Sequence, residues 1–203
     1  MNPQAIAHLC ASDKVLARLI KKVGPCTLKP KRRQPFEALV SAVTHQQLNG
    51  TAAMTILKRV IALYPGRRFP APADLLATSD ERLRAAGLSR AKAAALKDLA
   101  DKTLSGVVPP LRAVSKMSDA ELIERITTVR GVGPWTVEML LMFTLGRPDV
   151  LPVADYGVRK GFAVTYGLAE LPTPKALLAH GERWRPHRTT AAWYLWRALE
   201  LPK

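Results

Sequence analysis

The sequence predicts an all-α protein, and three observations carry that prediction. Apolar residues recur at three-to-four spacing in nearly every segment, short alternating β-branched runs are almost absent, and Gly or Pro punctuates the periodic stretches. This spacing places helices at 3–22, 35–48, 51–63, 72–77, 80–86, 90–104, 119–127, 134–145, 156–166, 174–181 and 188–199. Two connectors stand out, the basic, Pro-bracketed KPKRRQPF and the non-helical crossing over 105–121. Both are too short and too apolar to be flexible linkers. The expectation is therefore one unit over 1–203, with two closely packed helical lobes at 35–115 and 116–203, the segment 1–34 packing on the latter, and a cleft between the lobes.

The first helix, in MNPQAIAHLCASDKVLARLIKKVG, has its helical spacing broken by Asp13 and Lys14. It lacks the charged head and unbroken apolar stretch of a secretion leader. No apolar run approaches the roughly 20 residues that cross a bilayer, and the most apolar, WTVEMLLMFTLG, contains Glu138. Cys10 and Cys26 are the only cysteines, too few for a disulfide framework or a four-cysteine iron–sulfur cluster. His8, His45, His180 and His187 are scattered, and no ligand spacing suggests a catalytic metal. The expectation is a soluble chain in a reducing cytoplasmic or nuclear setting, with no cofactor and no membrane partner. Lys and Arg total 31 against 16 acidic residues, a formal net charge of +15. Such an excess favours a polyanion through counterion release, nucleic acid first. The alternatives are an anionic membrane surface, a ribosome-associated fold or an Arg-rich proteome, which charge alone does not separate from it.

Residues 127–161 read TTVRGVGPWTVEMLLMFTLGRPDVLPVADYGVRKG. Leu122, Ile123 and Ile126 give the preceding helix its buried face, Gly131 and Gly133 permit a tight turn with positive φ, and Pro134 suits the first position of the next helix. The product is helix, glycine hairpin, helix. Backbone N–H groups of such a hairpin, with the N-terminus of the following helix, can approach a phosphate closely. That grip positions a duplex without reading its bases. GVG alone fits an ordinary αα-turn with a glycine cap as well. Asp155 precedes the helix at 156–166, where Asp is among the best N-caps. A helix N-terminus favours a carboxylate as the anion, and an anion can support a developing sugar cation or orient a water. Asp149, in GRPDV, reads as turn chemistry, and Glu138 as a solvated or structural residue. Trp135, at a helix start, and Trp193, Trp196 and Leu199, at helical spacing, are compatible with core packing.

Taken together, VRGVGPWTVEMLLMF followed by P..DY resembles the hairpin and catalytic segment of the helix-hairpin-helix DNA glycosylase superfamily. PFEALVSAVTHQQLNGTAAMTILKRV and GERWRPHRTTAAWYLWRALE further resemble its alkylpurine branch, 3-methyladenine DNA glycosylase II, in a compact form without the N-terminal β-domain. The resemblance spans Leu16 to Leu199. It implies a monofunctional, monomeric N-glycosylase that flips alkylated purines, 3-methyladenine and 7-methylguanine, out of double-stranded DNA and excises them in base excision repair.

The same resemblance assigns roles. Strand-cutting members carry a lysine two positions after the second glycine. Trp135 stands there, and an indole cannot form a Schiff base, so water is the implied nucleophile. Asp155 takes the place of the invariant aspartate. Trp135, Trp196, Met139 and Tyr156 take base-pocket positions, and aromatic faces suit a cationic alkylpurine; Trp184 takes a structural one. Gly131, Val132, Gly133 and Thr136 fall on the DNA-gripping hairpin, and the backbone of Val129 and Gly131 is a place for a monovalent ion. Gln46, Gln47, Leu48 and Asn49 fall on the loop that enters the minor groove. Two residues depart from the pattern: His45 stands where a small residue is expected, and Asn49 where Ser is common. The rival readings are a glycosylase for oxidised, deaminated or mismatched bases and a non-catalytic helix-hairpin-helix module.

Overall fold

The computed structural model describes residues 3–48 and 50–202. Among them are thirteen α-helices and no strand, so the chain is all-α. It forms two compact units. One spans Arg32–Leu140; the other joins the chain up to Lys31 with the chain from Leu141 onward.

In the 32–140 unit, α3 (Pro35–His45), α4 (Gly50–Ala62), α5 (Pro72–Ala77), α6 (Asp80–Ala85), α7 (Arg90–Leu104), α8 (Leu111–Val114), α9 (Asp119–Ile126) and α10 (Pro134–Leu140) follow in order. The long α7 lies at the centre, packed against α3, α5 and α6. Leu39, Val43, Leu57, Leu75, Leu83, Leu96, Leu99, Leu122, Ile126 and Val137 form the core. Ser79, Ser89 and Ser118 start α6, α7 and α9 by accepting the amides of Arg82, Lys92 and Glu121, caps that contribute about 1 kcal/mol each. Lobes are expected over 35–115 and 116–203, whereas the compact units divide at 31/32 and 140/141, and the segment after α8 is tied to α7 and the residues just after it. Arg130 donates its amide to Asp98 at 2.7 Å, Lys102 donates to the Thr128 carbonyl, and Arg125 donates to the carbonyls of Gly106 and Val107.

The other unit contains α1 (Pro3–Ser12), α2 (Lys14–Val23), a π-helical turn (Leu141–Leu145), α11 (Tyr156–Tyr166), α12 (Pro174–Gly181), a 3-10 turn (Glu182–Trp184) and α13 (Arg188–Ala198). The single helix expected over 3–22 is two, since Asp13 leaves the helical conformation and its carboxylate accepts the amides of Val15 and Leu16 as the cap of α2. The same buried carboxylate accepts from the Tyr166 hydroxyl (2.5 Å), His180 Nε2 (3.0 Å) and Trp184 Nε1 (3.1 Å). Burial, which opposes ionisation, is outweighed by these donors, and the Asp13 carboxyl is held down to about 2. Trp184 is completely buried, the structural place implied for it. α13 packs closely on α11, where Gly161 makes the crossing possible: a methyl group there would overlap the Leu195 carbonyl oxygen.

Other boundaries move less. The helix expected over 35–48 ends at His45, α8 interrupts the crossing expected to be non-helical, and 134–145 changes from α to π geometry at Leu141. No helix among the described residues is long and apolar enough to cross a membrane.

Candidate functional site

The hairpin is built as the spacing predicts, with one revision. Gly131 has φ +74°, a conformation costly for any side chain, but Gly133 has no positive φ and a methyl group there would meet nothing. Both glycines are exposed, and their amides donate to no partner among the described residues. Exposed backbone N–H groups in such a turn are donors that a phosphate can take up. Val132 and Thr136, expected at the DNA surface, are each only 4% exposed. Val132 packs into the core and its amide donates to the Val129 carbonyl; Thr136 donates its amide to the Gly133 carbonyl. Their side chains hold the hairpin's shape. The carbonyls of Val129 and Gly131, where the resemblance implies a monovalent ion, already accept hydrogen bonds, from the Val132 amide and from Gln46 Nε2 at 2.9 Å.

That last bond gives Gln46 a partner within the protein. It caps the C-terminus of α3, and its side-chain amide braces the hairpin across 85 residues of sequence. Beyond it Gln47 adopts φ +56°, the only non-Gly positive φ among the described residues, and Leu48 is 40% exposed. A long side chain in the left-handed region is held there by its surroundings. Lys92 supplies the hold: its ammonium donates to the carbonyls of Thr44 (2.8 Å) and Gln46 (2.7 Å) at the end of α3. Burial lowers the Lys92 pKa. Asp98 braces the hairpin from the same helix; burial opposes its ionisation, but the Arg130 amide and Lys102 outweigh it and lower its pKa. Asn49 lies outside the described residues.

Trp135 is 45% exposed, which removes the core reading of this residue. With Met139, Thr136, Ala42, His45, Gln46 and Gln47 it lines a cavity of about 430 Å³ inside the 32–140 unit. That size lies within the range of small-molecule sites, about 300–1,000 Å³.

Asp155 sits in the other unit. It caps α11, and its Oδ1 accepts the Val158 amide at 2.7 Å and the Trp196 indole N–H at 2.9 Å. Two donors from different helices fix the carboxylate's orientation. Trp196, reaching it from α13, also stacks on Phe143 in the π turn, with ring centroids 5.8 Å apart and 30° between planes. This works because residue 157 is glycine; a methyl group there would lie 2.8 Å from Trp196 Cδ1. Tyr156, expected in the base pocket, points outward, 62% exposed, with the Lys160 ammonium 5.8 Å from its ring centre. Asp149 is accounted for structurally: Arg188 Nε and Arg185 Nη1 each approach its carboxylate at 2.7 Å.

Sequence reasoning missed Lys92, Asp98, Phe143 and Gly157. Gly157 and Gly161, four apart on one helix face, were the available signal, since such a pair marks close helix approach. Phe143 was hidden within an apolar run.

The HhH-GPD superfamily of base excision DNA repair proteins matches residues 40–186, and the chain belongs to this family. Among its relatives, it is 40% identical to DNA-3-methyladenine glycosylase 1 of Schizosaccharomyces pombe over 98% of this chain and 88% of that protein. The solved complex of the S. pombe 3-methyladenine DNA glycosylase with abasic DNA matches with a TM-score of 0.86, covering 98% of this chain and 97% of that one. A DNA-3-methyladenine glycosidase from Bacillus halodurans matches with a TM-score of 0.87 at 36% identity, covering 96% and 88%.

Proposed function

We propose that this chain is a monofunctional DNA N-glycosylase, acting as a monomer on double-stranded DNA in the compartment that holds the genome. It extrudes alkylated purines, 3-methyladenine first and 7-methylguanine with it, and releases them by hydrolysis. The observation that carries this reading is Asp155, fixed by the α11 amide of Val158 and the indole of Trp196, in a chain whose hairpin amides at Gly131 and Gly133 donate to no partner among the described residues.

The chemistry needs little more. The C1′–N bond of a cationic alkylpurine breaks with its electron pair going to the base, which departs neutral, so no strong general acid is required. The sugar is left as an oxocarbenium ion, which the Asp155 carboxylate stabilises. Water adds to C1′ and loses a proton, with Asp155 orienting or accepting from it. Trp135 stands where a Schiff base would need an amine, so strand cleavage is not part of the reaction. The net charge of +15 draws the chain to the duplex.

The test is Asp155→Asn. Asn caps helices as well as Asp, so α11 and duplex binding should persist while 3-methyladenine release from methylated DNA falls by about 10²–10³. Undiminished release overturns the assignment. Borohydride should trap no covalent complex between the wild-type chain and DNA.

A further inference from the structure

His45 is one of the two residues that depart from the alkylpurine pattern, and the structure fixes which of its ring nitrogens donates within the protein. It is the last residue of α3 and lines the cavity that holds Trp135 and Met139. Its Nδ1 lies 2.7 Å from the Ser41 carbonyl oxygen. A carbonyl can only accept, so Nδ1 carries the proton, and in the neutral ring Nε2 is left with its lone pair. Nε2 has no hydrogen-bond partner among the described residues and is not sealed from solvent. The rest of the cavity is lined by Ala42, Trp135 and Met139, with Thr136, Gln47 and Gln46, whose side-chain amide donates to the Gly131 carbonyl. An acceptor placed in such a cavity favours a ligand that brings a donor and penalises one that leaves the acceptor unmatched.

We propose that His45 is a specificity-determining residue of the base pocket, its Nε2 accepting a hydrogen bond from an amino group on the edge of the extruded purine. This rests on the glycosylase reading above and narrows its substrate class. Purines that keep an exocyclic amine, such as 3-methyladenine and 7-methylguanine, match the acceptor. 1,N6-Ethenoadenine, whose amine is closed into a ring, does not.

The experiment measures single-turnover release of 3-methyladenine and of ethenoadenine from otherwise identical duplexes, together with affinity for undamaged duplex. His45→Ala and His45→Gly remove the acceptor; His45→Gln returns one through its side-chain oxygen. The expected result is a fall of about tenfold in 3-methyladenine release for the Ala and Gly variants, rescue by Gln, no fall in ethenoadenine release, and unchanged affinity for undamaged duplex. A variant that slows both bases equally, or neither, overturns the role of His45 while the glycosylase reading stands. A wild-type chain that releases neither base overturns that reading, and the role of His45 with it. Where one small-residue variant fails to fold, the other and the Gln variant carry the comparison.

Discussion

In residues 32–140 the proposed DNA-gripping surface is backbone, and side chains brace it. Gln46 holds the Gly131 carbonyl, Lys92 holds the end of α3, and Asp98 holds the Arg130 amide. Around Asp155 the arrangement is reversed. The proposed catalytic group there is a side chain, and the absence of side chains at Gly157 and Gly161 lets α13 come close enough to brace it. The first site spreads its support over several polar contacts and should lose function gradually as braces are removed. The second depends on one close helix crossing and should fail abruptly when that crossing is filled.

The largest effect should come from filling the crossing. Gly161→Ala places a methyl group on the Leu195 carbonyl, and overpacking against backbone should cost about 3 kcal/mol, read as a lowered denaturant midpoint. Gly157→Ala, which pushes on Trp196 rather than on backbone, should destabilise less yet slow base release about tenfold by freeing Asp155 from its indole donor. Equal loss of stability and activity in the two variants would erase the distinction between them.

An intermediate effect should follow acidification. The Asp13 carboxyl is depressed from 3.8 to about 2 in the folded chain. Its stabilisation is therefore fully present above the unfolded value and is lost as pH falls from about 4 through about 2, roughly 2 kcal/mol in all. Asp13→Asn should lower stability at neutral pH and flatten the acid limb of the stability profile in that window. An acid limb of undiminished slope would remove Asp13 as its source.

The smallest effect should come from the braced backbone. Lys92→Met removes two donors from the end of α3 and should cost about 1 kcal/mol, with duplex affinity falling a few-fold and amide exchange in α11 unchanged. A loss as large as that of Gly161→Ala would show that the two sites are not held differently.

Much of this was readable along the chain. The helix class followed from periodicity, the hairpin from Gly131, Gly133 and Pro134, and the cap from Asp155, because each depends on residues within a few positions. The first helix was misread as continuous although Asp13 and Lys14 interrupted its pattern. Asp13 is a local cap, but its other partners, Tyr166, His180 and Trp184, lie 153 to 171 residues away. Position within a motif places Gln46 and Thr136 at the DNA surface but does not reveal where a side chain turns.

The sequence by itself determined the helical class, the basic surface, the glycine turn and a carboxylate at a helix start, all set by spacing and local backbone chemistry. Only the tertiary structure decided that Gln46 and Lys92 brace while Gln47 and Leu48 project, that Trp135 is exposed and Thr136 is not, and that Trp196 reaches Asp155 past a glycine. Those outcomes depend on how closely distant helices can approach, which is a matter of side-chain volume at the crossing and not of any pattern along one helix.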